Sequence, residues 1–218
     1  MPSPRAPRAS AKSSGTSRRL DGRAPTNYSA AQDFDCYNAI SLDEIVAQLV
    51  MKRPAETGQS GAQFSGRLAG EGDAEGLSRL LAVAFPEMQW DAARASKDLL
   101  DASDVVATFV VEDAGKLLAT ASSRYFDARF PGVGYVHWVA VDPVARGRGL
   151  FDAVMGAVED RFRADGRPVA MLETDDVRLP AIAAYLRRGY VPQYTEADHE
   201  ERWSRIFSRL AESRREKR

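Results

Sequence analysis

Apolar and polar residues follow two patterns along most of this chain, one typical of helices and one typical of strands. Apolar positions recur at helical spacing, which predicts helices over residues 73–85, 91–100, 150–163, 179–188 and 198–214. Short stretches rich in β-branched and aromatic residues predict strands over residues 63–69, 105–112, 116–126, 134–141, 169–174 and 190–194. Because strands and helices are intermixed, we expect an α/β fold of the mixed α+β kind, with a mixed central sheet flanked by helices.

The first 35 residues differ in composition from this series of elements. They are rich in Ser, Pro, Ala and Arg and contain almost no large apolar side chains. Such a segment cannot bury enough apolar surface to offset the entropy lost on ordering. We therefore interpret residues 1–35 as a disordered basic tail, with an arm that orders only against a partner as the alternative. We expect deletion of the chain up to about Ala31 to leave turnover within a few-fold.

Residues 36–62 are interpreted as a short helix followed by a linker. Apolar positions in residues 41–51 recur at helical spacing, and Ser41 and Glu44 form a capping-box pattern at their start. Residues 54–61 contain the proline and glycines typical of a linker. We expect the helix to pack on the main domain, with a homodimer contact as the alternative. The main domain is predicted to occupy residues 63–218 and to end in a charged amphipathic helix.

Composition excludes several classes of protein. The 218 residues carry a formal net charge of −1, which argues against a nucleic-acid binder driven by bulk charge. The chain has no apolar run of the ~18 residues that a membrane helix needs and no apolar signal-peptide core, so we expect a cytoplasmic protein with no membrane partner. One cysteine and two histidines, His137 and His199, are too few for a usual zinc site, and no metal is expected.

The most informative stretch lies between a predicted strand and a predicted helix. The strand ends at Val141, an Asp-Pro turn follows, and Arg146-Gly147-Arg148-Gly149 leads into the helix. Glycines let backbone N–H groups approach an anion, and a helix N-terminus adds unpaired donors. The stretch lacks the Lys-Ser/Thr ending of a P-loop and the third glycine of a dinucleotide fingerprint. Taken alone, it fits either a pyrophosphate site or a glycine-rich helix entry with solvated arginines.

A second motif lies downstream, and together the two resemble the GNAT superfamily of acyl-CoA-dependent N-acetyltransferases. The first agrees with the family pattern Arg/Gln-x-x-Gly-x-Gly/Ala at Arg146, at Gly149 and in the Asp-Pro turn before them. The second, Arg178-Leu-Pro-Ala181 continuing to Tyr185 and to Gly189-Tyr190, is similar to the family helix and strand Asn-x-x-Ala-x-x-x-Tyr-x-x-x-Gly-Phe. The order of predicted elements agrees over about residues 63–194.

The resemblance implies acetyl-CoA as acyl donor, with its pantetheine on one strand and its pyrophosphate on the glycine loop. The implied cofactor-binding residues are Val139, Ala140, Val141, Arg146, Gly147, Arg148, Gly149, Leu150, Phe151 and Arg178. Two of them depart from the family pattern. Phe151 replaces a small residue, so its ring must turn away from the cofactor. Arg178 replaces an asparagine, which alters a polar contact near the cofactor.

The resemblance also implies the catalytic candidates, each with an alternative reading. Tyr185 matches the family tyrosine near the cofactor sulfur and is a candidate general acid, or else a core tyrosine. His137 has the ordinary pKa of a base, and it is either that base or a packed side chain beside Trp138. Glu173 is a candidate base, an anchor for the acceptor, or structural. With Asp175 and Asp176 it predicts an acidic mouth that favours a cationic amine.

The acceptor is expected to be a small-molecule primary amine. The resemblance implies that residues 85–90 and 190–199 wall its pocket, and residues 85–90 are apolar with one charge. The amine would attack the thioester directly. The alternatives are a protein or peptide N-acetyltransferase, or a catalytically weak acyl-CoA-binding module.

Overall fold

The structure is a computed structural model, and it describes residues 48–55 and 64–216. Over this part of the chain the strands are β1 (Leu49–Pro54), β2 (Arg67–Leu68), β3 (Val105–Asp113), β4 (Lys116–Arg124), β5 (Val133–Val141), β6 (Val169–Thr174) and β7 (Val191–Gln193). The helices are α1 (Ala74–Ala84), α2 (Ala92–Ala95), α3 (Leu150–Ala164), α4 (Leu179–Arg187) and α5 (His199–Arg215).

The strands form one sheet in the order β2-β3-β4-β5-β6-β1-β7. Neighbouring strands are antiparallel except β5 and β6, which are parallel. Helices α1 and α2 pack on one face with Trp138 and Ala140 of β5, while α3, α4 and α5 contribute to the cluster that includes Val136. The predicted α/β fold with a mixed sheet flanked by helices is therefore confirmed.

The most consequential difference from the predicted elements is β1. Residues 49–51 were expected to end a helix, but they begin a strand that pairs with β6 on one side and β7 on the other. Leu49, Val50 and Met51 are all buried. A short apolar run buried on both faces has no diagnostic period, so helical spacing was misleading there. The main domain consequently starts before residue 63, and a compact unit runs from Ala47 to Arg218.

A buried cluster of charges fixes β1 to the helices. The Glu159 carboxylate on α3 accepts hydrogen bonds from Arg53 of β1 at 3.2 Å and from Arg188, which follows α4, at 2.9 Å. The Tyr190 hydroxyl also donates to Glu159 Oε1 at 3.1 Å. A buried charge without partners is strongly destabilising, so these three donors explain why Glu159 is tolerated and why β1 stays in the sheet.

The other predicted elements agree with the structure to different extents. The helices predicted over 73–85, 150–163, 179–188 and 198–214 and the strands over 105–112, 116–126, 134–141 and 169–174 are confirmed within two residues at each end. Strand 63–69 shortens to Arg67–Leu68, and strand 190–194 shortens to Val191–Gln193. Helix 91–100 divides into α2 and the π-helical turn Ser96–Leu100.

Several predictions concern residues outside the described ranges. The basic tail over residues 1–35, the part of the helix at residues 41–47 and the linker at residues 56–61 all lie there. Within the described residues, no helix combines the length and apolar character needed to cross a bilayer. The cytoplasmic location stays a prediction.

Candidate active site

An opening in the sheet lies between β5 and β6. The two parallel strands pair only from Val133 with Val169 to Tyr135 with Met171, and no pairs follow. From residue 136 to Val141, the edge of β5 that faces β6 therefore has no strand partner in the described structure. We call this gap the β5–β6 opening. Unpaired backbone donors and acceptors along one strand can bind an extended ligand that contains amides.

A bulge in β5 lies beside the opening. The register with β4 shifts between Thr120 and Ser122, and Trp138 has a φ of +43°. Val136 and Val139 consequently pack into the same cluster. In a regular strand, two residues three positions apart would face opposite sides of the sheet. Regular alternation would place Tyr135, His137 and Val139 on one face of the strand. The bulge prevents this, because it reverses the alternation of the side chains.

The glycine loop connects β5 to α3 in a conformation that only glycine adopts easily. The Val144 N–H donates to Asp142 Oδ1 at 3.0 Å, which shapes the turn at Pro143–Ala145. Gly147 and Gly149 have φ values of +79° and +80°, and no atom lies within 4 Å of where a Cβ would stand on either residue. The conformation and the free space together fit an anion cradle.

The start of α3 adds donors to this cradle. The first hydrogen bond at this end of the helix runs from the Ala153 N–H to the Gly149 carbonyl at 3.1 Å. The N–H groups of Leu150 and Phe151 precede it and have no partner within the helix. The residues predicted to bind a pyrophosphate thus lie together, and their role stays a prediction.

Cations surround the glycine loop. Arg146 is exposed, and Arg148 donates to Asp113 Oδ2 at 2.8 Å. Lys116 of β4 lies 2.7 Å from Asp142 Oδ2, and its hydrogen bond lowers the pKa of that aspartate. The sequence analysis missed Lys116 because it precedes the loop by thirty positions, and only the β4–β5 pairing brings the two together.

Tyr185 lies beside the first turn of α3. Its ring is 5.6 Å from the ring of Phe151 and 5.9 Å from the ring of Tyr190, and the residue is buried. The Phe151 ring packs against the core. Burial raises the pKa of Tyr185, and the positive charge of Arg178 lowers it by less. The phenol therefore stays protonated at neutral pH.

Glu173 is held by two side chains. Arg129 donates to both carboxylate oxygens, at 2.9 and 3.3 Å, and the Tyr135 hydroxyl donates to Oε2 at 2.8 Å. The guanidinium of Arg129 also lies 4.7 Å from the centre of the Phe130 ring, which stacks on Tyr135. Nothing in the sequence pattern indicates these pairs, because Arg129 and Glu173 are 44 positions apart.

His137 is poorly placed to act as a base. Its ring packs 5.2 Å from the ring of Trp138, and Nδ1 is buried without a hydrogen-bond partner in the described structure. Burial lowers its pKa to about 3, with a smaller contribution from the charge of Arg124. The imidazole is therefore neutral at physiological pH and has little affinity for a proton.

The acidic mouth expected at the end of β6 is neutralised by basic side chains. Asp176 accepts from Arg202 at 2.6 Å, which lowers the pKa of Asp176, and Asp175 accepts from Arg178 at 3.0 Å. Glu173 is paired with Arg129 as described above. The carboxylates are thus present where the sequence predicted them, but their net attraction for a cation is largely cancelled. Within the described residues, no group of three or more His, Cys, Asp or Glu side chains could hold a metal ion.

Comparisons with known proteins support the fold described above. A family model described as the Acetyltransferase (GNAT) family matches residues 75–190. A search of curated proteins found no match. Three solved structures illustrate the similarity of fold. A GNAT-family acetyltransferase from Novosphingobium aromaticivorans has a TM-score of 0.51 and 23% identity, covering 68% of this chain and 61% of its own.

The second structure is AAC(6')-Iy in complex with a bisubstrate analog, CoA-S-monomethyl-acetylneamine, with a TM-score of 0.53, 18% identity, and coverage of 62% and 94%. The third is the ribosomal-protein-S18-alanine N-acetyltransferase from Escherichia coli, with a TM-score of 0.50, 18% identity, and coverage of 60% and 79%. Identities this low support the fold alone. The match of the family model spans more than half of the sequence, and the chain belongs to the GNAT acetyltransferase family.

Proposed function

We propose that the protein transfers an acetyl group from acetyl-CoA to the primary amine of a small molecule, by direct attack of the amine on the thioester. The observation that carries the proposal is the position of Tyr185. Its phenol lies beside Phe151 in the first turn of α3, where the glycine loop meets the helices. One protonated hydroxyl is thereby placed next to an anion cradle.

The donor fits the residues that surround the opening. The N–H groups of Gly147, Gly149 and Leu150 would bind the pyrophosphate, and the exposed Arg146 would add charge. The unpaired edge of β5 from Val139 to Val141, including Ala140, would pair with the amides of the pantetheine. Acetyl-CoA supplies an activated acyl group as its thioester.

Tyr185 is assigned the role of general acid. A departing thiolate needs a proton, and a phenol whose pKa is raised remains protonated at the pH where the amine reacts. The backbone N–H groups at the Trp138 bulge of β5 are assigned to bind the acyl oxygen. They would stabilise the negative charge that develops on this oxygen during attack.

Glu173, and not His137, is assigned to moving the amine proton. An alkylammonium with a pKa near 10 must lose a proton before its nitrogen can attack. His137 has a pKa of about 3, so it has little affinity for a proton. Glu173 follows the part of β6 that pairs with β5, and its carboxylate lies beside the half-exposed Arg129 and the Tyr135 hydroxyl.

A small acceptor with an apolar body suits the surroundings of the opening best. Aromatic rings lie along β5: Phe85 and Trp90 meet Trp138, and Phe130 stacks on Tyr135. The carboxylates at the mouth are paired with arginines, so little charge remains to attract a basic peptide.

Thiol release from acetyl-CoA over a panel of primary amines tests the proposal. The panel holds alkylamines, arylalkylamines, a polyamine, a lysine peptide and a peptide with a free N-terminus. We expect turnover on at least one small amine, with the acetylated product identified by mass spectrometry. Turnover only on peptides would favour a protein acetyltransferase. Tight acetyl-CoA binding without any turnover would favour a binding module and contradict the proposal.

A further inference from the structure

Arg178 is placed to act across the β5–β6 opening. It immediately precedes α4, and its side chain is 27% exposed. Its Nε donates to Asp175 Oδ2 at 3.0 Å, and its Nη2 donates to Glu87 Oε1 at 2.5 Å. The guanidinium carbon also lies 4.4 Å from the centre of the Phe85 ring. One side chain therefore contacts two separate segments through three interactions.

These contacts form a continuous path from one strand of the opening to the other. Asp175 follows the last residue of β6. Phe85 follows the last residue of α1, and its ring meets the ring of Trp138 on β5 edge-on at 5.0 Å. The path thus runs from β6 through Arg178 and Phe85 to β5, at a level where the two strands no longer pair.

The path also passes close to the proposed general acid. Arg178 immediately precedes α4, the helix that carries Tyr185. Its positive charge partly offsets the rise in the pKa of Tyr185 that burial causes. Arg178 therefore lies beside the candidate active site.

We infer that Arg178 is a positioning residue that holds the segment after α1 against β5 and so limits the size of the amine that can enter the β5–β6 opening. This inference rests on the proposed function. We call the contacts of Arg178 with Asp175, Glu87 and Phe85 the Arg178 bridge.

The chemistry of the side chain supports a positioning role. Only a planar guanidinium can stack on a ring and donate to two carboxylates in different directions at the same time, and a lysine cannot replace it. The Glu87 side chain is 53% exposed, so this ion pair contributes little to the free energy of unfolding. Loss of the bridge should therefore change selectivity more than stability.

Two variants break the bridge from opposite ends. Arg178→Asn introduces the amide that the family motif has at this position, and Glu87→Gln removes the partner charge. Arg167→Gln is the matched control. Arg167 also pairs with an exposed carboxylate, Asp127 at 2.9 Å, and stacks on a ring, Tyr125 at 4.1 Å, but neither partner belongs to β6 or to residues 85–90.

The first measurement is the ratio of kcat/KM for diphenylmethylamine to kcat/KM for propylamine. We expect Arg178→Asn and Glu87→Gln each to raise this ratio about tenfold, the size of effect that a change of pocket volume produces. The double variant should raise it no further, because both changes break one bridge. Arg167→Gln should leave the ratio within about twofold of the parent. Arg178→Lys should not restore the parental ratio.

The second measurement needs no turnover. Hydrogen–deuterium exchange of the peptide covering residues 85–90 should be faster in Arg178→Asn and Glu87→Gln than in the parent and in Arg167→Gln. Unchanged exchange in both bridge variants would overturn the inference, as would an unchanged selectivity ratio in a parent that acetylates both amines. If the parent acetylates no amine, the proposed function fails and the selectivity role fails with it, while the exchange result still reports whether the bridge holds the segment.

Discussion

The two sides of the β5–β6 opening are built by different means. On the side of the glycine loop, backbone conformation creates the site: two glycines with positive φ and the first N–H groups of α3 face open space. On the other side, pairs of side chains from distant segments create it: Arg129 with Glu173, and Arg178 with Glu87. A backbone site is specified by consecutive residues, whereas a side-chain site exists only once the chain has folded.

This difference predicts separate consequences of mutation. Changes in the glycine loop should weaken donor binding with little effect on the choice of amine. Changes in the side-chain pairs should alter the acceptor and leave the donor bound. Tyr185 lies between the two sides, so its loss should affect the chemical step itself.

The largest effect is expected from Tyr185→Phe. Removal of a general acid should lower kcat by about 10²–10⁴-fold with little change in KM for acetyl-CoA, because the hydroxyl acts mainly as charge develops on sulfur. Steady-state kinetics over a range of acetyl-CoA concentrations would measure both constants. Tyr190→Phe is the matched control: it removes another buried hydroxyl, which donates to Glu159, and should lower Tm while kcat stays within a few-fold. Parental kcat in a folded Tyr185→Phe protein would return Tyr185 to a packing role.

On the glycine-loop side of the opening, Gly149→Val should weaken donor binding. Valine at a φ of +80° strains the loop and places a branched side chain where phosphate would bind. We expect KM for acetyl-CoA to rise about tenfold or more, and the rise in Tm on adding acetyl-CoA, which measures binding to the folded state, to be largely lost.

Gly166→Val separates strain from ligand contact. Gly166 follows the other end of α3, has a φ of +68°, and also has free space where a Cβ would stand. It should lower the unliganded Tm to a similar degree but keep the response to acetyl-CoA. Equal responses in the two valine variants would show that the glycine loop is not the phosphate site.

On the side-chain side of the opening, the expected change is a loss of kcat/KM for the amine. If Glu173 moves the amine proton, Glu173→Gln should lower kcat/KM for the amine about 10²-fold, a typical contribution of acid–base catalysis. Arg129→Gln leaves the Glu173 carboxylate in place and should lower kcat/KM for the amine by less than about threefold. Equal losses in the two variants would instead indicate that Glu173 serves to hold Arg129.

The smallest effect on activity is expected from His137→Gln. A group with a pKa of about 3 does not titrate in the working range, so kcat/KM and its pH profile should remain close to parental. If kcat/KM of the parent rises with pH near pH 6–7 and that rise is absent in His137→Gln, the imidazole is the base.

His137 should instead influence how the free energy of unfolding depends on pH. Its usual pKa is 6.5 and its pKa in the folded protein is about 3, so the unfolded chain binds more protons between these values. The free energy of unfolding should therefore fall as the pH decreases from 6.5 toward 3. His137→Gln should reduce the loss of Tm between about pH 7 and about pH 4. An equal loss in parent and variant would contradict the buried, neutral imidazole.

The glycine loop could be predicted from the sequence because its strand, turn, glycines and helix are consecutive. The same holds for Tyr185, since the motif places it at a fixed distance along one helix. Strand β1 could not be predicted, because its apolar residues are buried on both faces and follow no strand alternation. The bulge at Trp138 was equally hidden, since it depends on the register between β4 and β5.

The side-chain pairs could not be predicted from the sequence, for a different reason. Arg178 and Glu87 are 91 positions apart, and each alone resembles an ordinary solvated charge. The sequence did place Glu173, Asp175 and Asp176 at one mouth, but it gave no sign of the arginines that neutralise them. The donor side of the opening was therefore easier to predict than the acceptor side.

A crystal structure of the complex with acetyl-CoA tests the central claim most directly. We expect the pyrophosphate within hydrogen-bond distance of the N–H groups between Gly147 and Phe151, the pantetheine along the free edge of β5, and the sulfur next to the Tyr185 hydroxyl. Acetyl-CoA bound elsewhere, or bound at the glycine loop with its thioester directed away from Tyr185, would contradict the account.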